Sequence, residues 1–320
     1  MKLQTQIPVT KAENQIDYQS NLFLLGSCFV ENIGGKLDYF KFRTLQNPFG
    51  ILFHPLAIEN LIQRAVLEQS YTEQEIFNTN GQWLCFDAHS DLSDISKENL
   101  LQKLNDALLK IRQQLDKASH IIITLGTAWA YRYSETDKIV ANCHKVPQKE
   151  FSKELLSINA IVRSLERMVE TIKSTNPKAQ LIFTISPVRH LKDGFVENQR
   201  SKAHLITALQ ELFALDSLGT YGSYFPAYEL MMDELRDYRF YEVDMVHPNQ
   251  LAIDYIWEKF RYVWVSEKTY RTMDEVEAIQ KGLHHRPFNR NSEQHQQFIK
   301  SLDKKITYLQ QEHPFMEFSR

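Results

Sequence analysis

Short apolar runs bounded by turn residues alternate along this chain with longer segments in which apolar residues return every three or four positions. That alternation is the sequence form of a parallel sheet with crossover helices, and it predicts an α/β fold. Strands are expected at residues 22–25, 42–45, 121–125, 181–185 and 223–225. Ile121-Ile122-Ile123 and Leu181-Ile182-Phe183 lack polar alternation, which marks strands buried on both faces. Helices are expected at 29–39, 55–69, 97–117, 153–174, 202–215 and 248–263. Pro248 suits a first helical turn, where its missing amide hydrogen has no partner to lose, and Asn176-Pro177 stops the helix before it.

Beyond about residue 265 apolar residues thin out, and Phe298, Leu302, Ile306 and Leu309 recur at helical spacing among polar residues. The chain therefore divides into a main domain at 1–264 and a helical C-terminal extension at 265–320. One short stripe does not make a coiled coil, so a helix docked on the main domain is the favoured reading, with a homodimer through these helices as the alternative.

Composition narrows the function classes. The 320 residues carry 37 Lys+Arg against 40 Asp+Glu, a net charge of −3, which leaves no surplus for coating nucleic acid. A hydrophobic share of 43% and a charged share of 24% lie near globular averages. A chain this long buries about three quarters of its unfolded surface, so no disulfide or metal staple is required. Cys28, Cys85 and Cys143 are odd in number and far apart, which suits a reducing compartment. Leu25-Gly26-Ser27-Cys28 has the outline of a lipoprotein cleavage site, but its apolar core spans only 22–25 and follows Glu13 and Asp17, whereas a signal peptide needs about 7–15 apolar residues after a basic start. No run approaches the ~20 apolar residues of a spanning helix. The expectation is a cytoplasmic protein with neither membrane nor nucleic-acid partners.

Candidate chemistry begins at Gly26-Ser27-Cys28-Phe29, which follows the first strand and opens a helix. Ser27 is thereby placed at the carboxyl end of a parallel strand, where open α/β sheets bind ligands, with the free amides of a helix start beside it. The plain structural alternative is that Ser27 caps the helix. Asp244 and His247, three residues apart before the last crossover helix, add what a serine nucleophile needs: a base to take its proton and a carboxylate to fix the base's tautomer. Cys28 is an alternative nucleophile, but adjacent residues at such a turn point in different directions, and Cys28 is expected to pack in the core. There is no helical His-x-x-x-His with a glutamate, and His284 and His285 diverge, so no metal is expected. Phosphate-loop and dinucleotide glycine motifs are absent, and no cofactor is expected.

Together, Gly-Ser-Cys-Phe after the first strand and Asp-x-x-His-Pro near the end resemble the GSCFA domain proteins, which look like relatives of the SGNH (GDSL-type) hydrolases. Asn47-Pro48-Phe49-Gly50, Thr124-Leu125-Gly126-Thr127-Ala128-Trp129, Asn142-Cys143-His144-Lys145-Val146-Pro147, Ser186-Pro187-Val188-Arg189-His190 and the stretch from Tyr224 to Tyr241 look like further blocks of the same pattern, over roughly residues 20 to 260. The resemblance implies a three-layer α/β/α sandwich around a short-stranded, mainly parallel sheet. It also implies a serine-dependent esterase or acyl-transfer hydrolase with Ser27 as nucleophile, His247 as base and Asp244 as its orienting carboxylate. Anion-stabilising donors transfer to the amides of Ser27 and Gly50. The third donor, an asparagine in SGNH enzymes, does not transfer, because its position carries Ala128. Losing one such donor costs about 10²–10³ in turnover, so another group is expected, with Asn142 the first candidate and Asn47 the second. His144, Arg189 and His190 are candidate substrate contacts, and Trp129, Tyr131, Tyr224 and Phe225 suit stacking on a sugar, which makes a carbohydrate ester attractive. The competing class is a non-catalytic small-molecule or carbohydrate-binding module on the same fold.

Overall fold

Unbroken β-branched and aromatic runs pair where both faces of a strand can be buried, and here they build the centre of the molecule. The computed structural model describes residues 4–215, 222–286, 288–289 and 291–318. In chain order its elements are β1 (Asn21–Gly26), α1 (Phe29–Tyr39), β2 (Arg43–Gln46), α2 (Pro55–Val66), β3 (Ile76–Thr79), β4 (Gln82–Cys85), α3 (Lys97–Lys117), β5 (His120–Leu125) and β6 (Trp129–Tyr133). They continue with β7 (Lys138–Val140), β8 (Phe151–Leu155), α4 (Ile158–Thr175), β9 (Gln180–Ile185), α5 (Phe195–Phe213), β10 (Gly222–Phe225), α6 (Ala227–Glu229), α7 (Gln250–Trp264), α8 (Tyr270–His284) and α9 (Glu293–Glu312).

The central sheet has five strands in the order β10-β9-β5-β1-β2, and every neighbouring pair is parallel. Its strands are those the apolar runs predict, to within a residue or two at each end. Gly26 pairs with Thr124 and Thr124 with Thr184, so the carboxyl ends of β1, β5 and β9 lie level along one edge. Phe23, Leu25, Ile121, Ile123 and Phe183 point to one side, where they pack with residues of α2 to α5. Leu22, Leu24, Ile122 and Ile182 point to the other, against α1, α7 and α8.

Several local readings differ from the sequence expectation. The helix expected from residue 153 begins only at Ile158, with Ser157 accepting from the Ala160 amide at 3.2 Å, because Phe151–Leu155 is drawn into antiparallel pairing with β6. Helix α5 starts at Phe195, seven positions before the expected 202. Pro248 lies outside α7: Asn249 is the cap, its side chain accepting from Ala252 at 3.1 Å, and Pro248 instead bridges to Tyr241. The antiparallel pairs β3–β4 and β7–β6–β8 were not anticipated, although Asn80 and Gly81, both with positive φ, form the Asn-Gly turn that joins β3 to β4.

The C-terminal helices dock on their own chain. Met273, Val276 and Ile279 of α8 and Leu302 and Leu309 of α9 join the apolar cluster of α1 and α7, and Gln280 donates to the Tyr39 carbonyl at 3.1 Å. The expected stripe is only partly covered, since Phe298 keeps 39% of its surface exposed. Among the described residues no helix is long and apolar enough to cross a membrane.

Gly26 ends β1 at φ +131°, and a Cβ there would lie 2.1 Å from the Thr124 carbonyl oxygen. Backbone strain and this collision act together, so Gly26→Ala is expected to cost about 2 kcal/mol or more of unfolding free energy. Urea denaturation measures it, and a variant as stable as wild type would show that the turn is not constrained.

Candidate active site

Because Gly26 turns the chain off the sheet edge, Ser27 is left at the end of β1 with its amide on the Thr124 carbonyl at 3.0 Å and its carbonyl accepting from Val30 at 2.8 Å. The helix cap is Cys28, in helical geometry and without a side-chain cap bond. The Ser27 hydroxyl is fully buried and has no hydrogen-bond partner, which removes the reading of Ser27 as a cap. Leaving such a group unsatisfied costs about 1–3 kcal/mol, and buried orphans of this kind call for a functional explanation.

Asp244 and His247 form a prebuilt pair. Asp244 Oδ1 accepts from the amides of Val246 (2.8 Å) and His247 (3.0 Å), while Oδ2 lies 2.6 Å from His247 Nδ1. These bonds, the His247 amide first, hold the Asp244 carboxyl well below the usual carboxylate range. An ionised carboxylate only accepts, so Nδ1 carries the hydrogen and Nε2 of the neutral ring keeps its lone pair. Both side chains are about half exposed. Met245, at φ +57°, makes the tight turn between them. The Arg189 guanidinium fastens this loop by donating to the Met245 carbonyl and stacking on Tyr241, 4.3 Å from its ring centre.

Ser27 Oγ and His247 are not hydrogen-bonded to each other. A residue that the sequence reading passed over bonds the backbone beside Ser27. Lys202 of α5 is fully buried, and its Nζ donates to the carbonyls of Gly126 (2.8 Å) and Ser186 (2.7 Å), just past the ends of β5 and β9. Gly126 also abuts Ser27: a Cβ on it would lie 3.0 Å from Ser27 Cβ. Burial pushes Lys202 down to about 7, with Cys28 opposing, and no carboxylate pairs with it among the described residues. Burial first, and then the nearness of two groups that can carry positive charge, Lys202 and His247, pushes His190 down to about 3, so His190 is a neutral imidazole. Its Nε2 is another buried atom without a partner.

The remaining predicted residues fare differently. The Gly50 amide is spent inside a turn, on the Asn47 carbonyl at 2.7 Å, so it is not a free anion donor here. Asn142 Oδ1 accepts from the His144 amide at 2.7 Å, a local loop bond that fixes the side chain and leaves its Nδ2 group out of that bond. Asn47 is better placed: its Oδ1 accepts from the Gly26 amide at 3.0 Å, directly before Ser27, and its Nδ2 is buried with no partner. His144 has both ring nitrogens occupied, by Ser90 Oγ and the Cys85 carbonyl, and it lines the cavity that His190 borders. Ala128, where the asparagine was missed, is fully buried and donates its amide to Ser201 Oγ at 2.7 Å. Cys28 is half-buried instead of packed in the core, and burial followed by Glu31 raises its thiol, which disfavours the reactive thiolate.

A cavity of about 370 Å³ is lined by Phe53, Trp129, Tyr131, Asn142, Asp193 and His190, the last of which ties it to the Lys202 neighbourhood. A larger cavity of about 660 Å³, around Arg64, Asp87 and Phe86, involves none of the predicted site residues. One signal for Lys202 was available in the sequence. It falls on the buried stripe of α5, in register with Leu205, Leu209 and Leu212, where a solvated lysine does not belong.

The GSCFA family model matches residues 21–260, and the model described as GSCFA domain protein, C-terminal domain, matches residues 276–320. No curated protein matches the chain.

The state of Lys202 makes a stability prediction. Its value of about 7 lies below the ordinary 10.5, so between these limits the unfolded chain binds more protons than the folded one, and stability from this residue rises with pH. Urea denaturation at a series of pH values is expected to show wild type gaining on Lys202→Met from pH 7 to about 10. A constant difference across that window would mean that the folded protein holds the amine charged.

Proposed function

The chain belongs to the GSCFA family, and on that footing we propose that it is a serine-dependent esterase or acyl-transfer hydrolase in which Ser27 is the nucleophile and Asp244–His247 the proton-carrying pair. The observation that carries this reading is the buried, unpartnered Ser27 hydroxyl at the carboxyl end of β1, on the same sheet edge as a histidine already oriented by its carboxylate. The five-stranded parallel sheet, with β1 between β2 and β5, supports a three-layer arrangement of the SGNH kind.

Acyl transfer needs a nucleophile, a proton acceptor and donors for the negative charge that develops on the acyl oxygen. Ser27 supplies the first. Nε2 of His247 carries a proton between substrate and solvent, and Asp244 stabilises the imidazolium that forms. Asn47 Nδ2 takes over as anion donor from the asparagine that Ala128 lacks, because it is the unspent amide nearest the Gly26–Ser27 turn. Serine–histidine contacts are often long before substrate binds, and the half-exposed loop of His247 can close onto the acyl group.

The cavity beside His190 suits the alcohol part of the ester. Trp129 and Tyr131 offer ring faces, and Asn142, Gln148 and Asp193 offer hydrogen-bonding groups, a combination that fits a small polar alcohol such as a sugar. Free Cys28, Cys85 and Cys143 suit a reducing compartment such as the cytoplasm. A binding module would gain nothing from an orphan hydroxyl and a prebuilt Asp–His pair, which is why the catalytic reading is preferred.

A fluorophosphonate probe is expected to label the wild-type protein and to leave Ser27→Ala unlabelled. With a short acyl ester, Asp244→Asn and His247→Ala are expected to lower turnover by about 10²–10⁴. A folded wild type that neither labels nor cleaves a panel of such esters would favour binding without catalysis.

A further inference from the structure

We propose that Lys202 Nζ, as a neutral amine, takes the proton of Ser27 when the serine is acylated, leaving His247 to serve the second half of the reaction. The inference rests on Ser27 being the nucleophile and changes only which group first receives its proton.

The hydrogen-bond count points this way. A neutral amine has two N–H groups and one lone pair, whereas an ammonium has three N–H groups and none. Among the described residues Lys202 is given two acceptors, the Gly126 and Ser186 carbonyls, and no carboxylate. Both N–H groups of the neutral form are thus satisfied and its lone pair is free, while the charged form would bury a third N–H and a charge whose one further contact among the described residues is the Tyr228 ring, 5.5 Å from Nζ. Ser27, which abuts Gly126, has the complementary deficit: a buried O–H with nothing to accept it. Neither Lys202 nor His247 is bonded to that hydroxyl, but Lys202 is enclosed on the Gly126 backbone that abuts Ser27, while His247 sits half exposed at the rim. The titratable groups facing Lys202 are Cys28 from the start of α1, His190 from the loop after β9 and Tyr228 of α6, none of them an acid ionised at neutral pH. The depressed value of Lys202 agrees with this geometry.

The steps balance. Ser27 Oγ attacks the acyl carbon as its proton moves to the Nζ lone pair. The tetrahedral intermediate then expels the alcohol, which takes that proton from Nζ as the carbon–oxygen bond breaks, and Lys202 is neutral again. Water, or an acceptor alcohol, next gives its proton to His247 Nε2 and attacks the acyl carbon. Ser27 leaves and recovers a proton from His247. The buried base thus works from the protein side and the exposed base from the solvent side, as their burial requires.

The test measures the rate of fluorophosphonate labelling of the full chain against pH, alongside ester turnover. Lys202→Met is expected to slow labelling by about 10²-fold or more. His247→Ala should lose turnover yet label at nearly the wild-type rate, and should keep a single rise in labelling with pH as an amine deprotonates. Should Lys202→Met melt abnormally, the pH profile of His247→Ala decides alone. The proposal is overturned by a folded Lys202→Met that labels like wild type, or by His247→Ala losing both the rate and its pH dependence, and in either case Ser27 keeps its role. Labelling that survives in Ser27→Ala, or never occurs in wild type, overturns the nucleophile assignment itself.

Discussion

Two backbone carbonyls, Gly126 and Ser186, converge on one buried lysine nitrogen, and the arrangement of the sheet edge depends on that clamp. Parallel strands finish together here because Gly26, Thr124 and Thr184 share a register level, so their outgoing chains must separate within a few residues. Polar backbone exposed by that separation needs partners, since each buried orphan costs about as much as a lost hydrogen bond. Phe53 satisfies the Gly126 and Thr127 amides with one carbonyl, Ser201 satisfies Ala128, and Lys202 takes the carbonyls. What remains unsatisfied is therefore informative. Ser27 Oγ, Asn47 Nδ2 and His190 Nε2 are orphaned in a neighbourhood where nearly every adjacent backbone group has been paired.

Electrostatics divides the site into two compartments. Inside, burial drives Lys202 and His190 toward their neutral forms. At the rim, Asp244 is held ionised by two amides and the His247 ring. Placing a carboxylate where water can solvate it and an uncharged amine where it cannot is the cheaper distribution on desolvation grounds. The same division gives each base a natural partner: a hydroxyl enclosed by protein for one, and a molecule arriving from solvent for the other.

Much of the fold was legible because period and composition agree in the core. Ile121-Ile122-Ile123 can be buried on two faces only as a central strand, and the spacing of α1 and α3 predicted both helices to the residue. Where two structures were locally compatible, pattern alone failed. Residues 153–155 read as the start of a helix but pair with β6, because pairing partners distant in sequence outweigh a weak helical period. Asn249 displaced Pro248 from the helix start because its side chain can satisfy the Ala252 amide, which proline, having no side-chain acceptor, cannot.

From the chain alone one can determine that a serine follows the first strand, that an aspartate and a histidine share a late loop, and that both stand at strand or helix boundaries of an α/β sheet. These are local facts, set by spacing and turn chemistry. Only the tertiary structure decided that the Ser27 hydroxyl is buried without a partner, that the Gly50 amide is committed to its own turn while Asn47 keeps a buried, unpartnered donor, and that a lysine on an apolar stripe meets the ends of two strands. The reason is physical: whether a polar atom is satisfied depends on groups brought to it from elsewhere in the chain, and no neighbour in sequence reports on them.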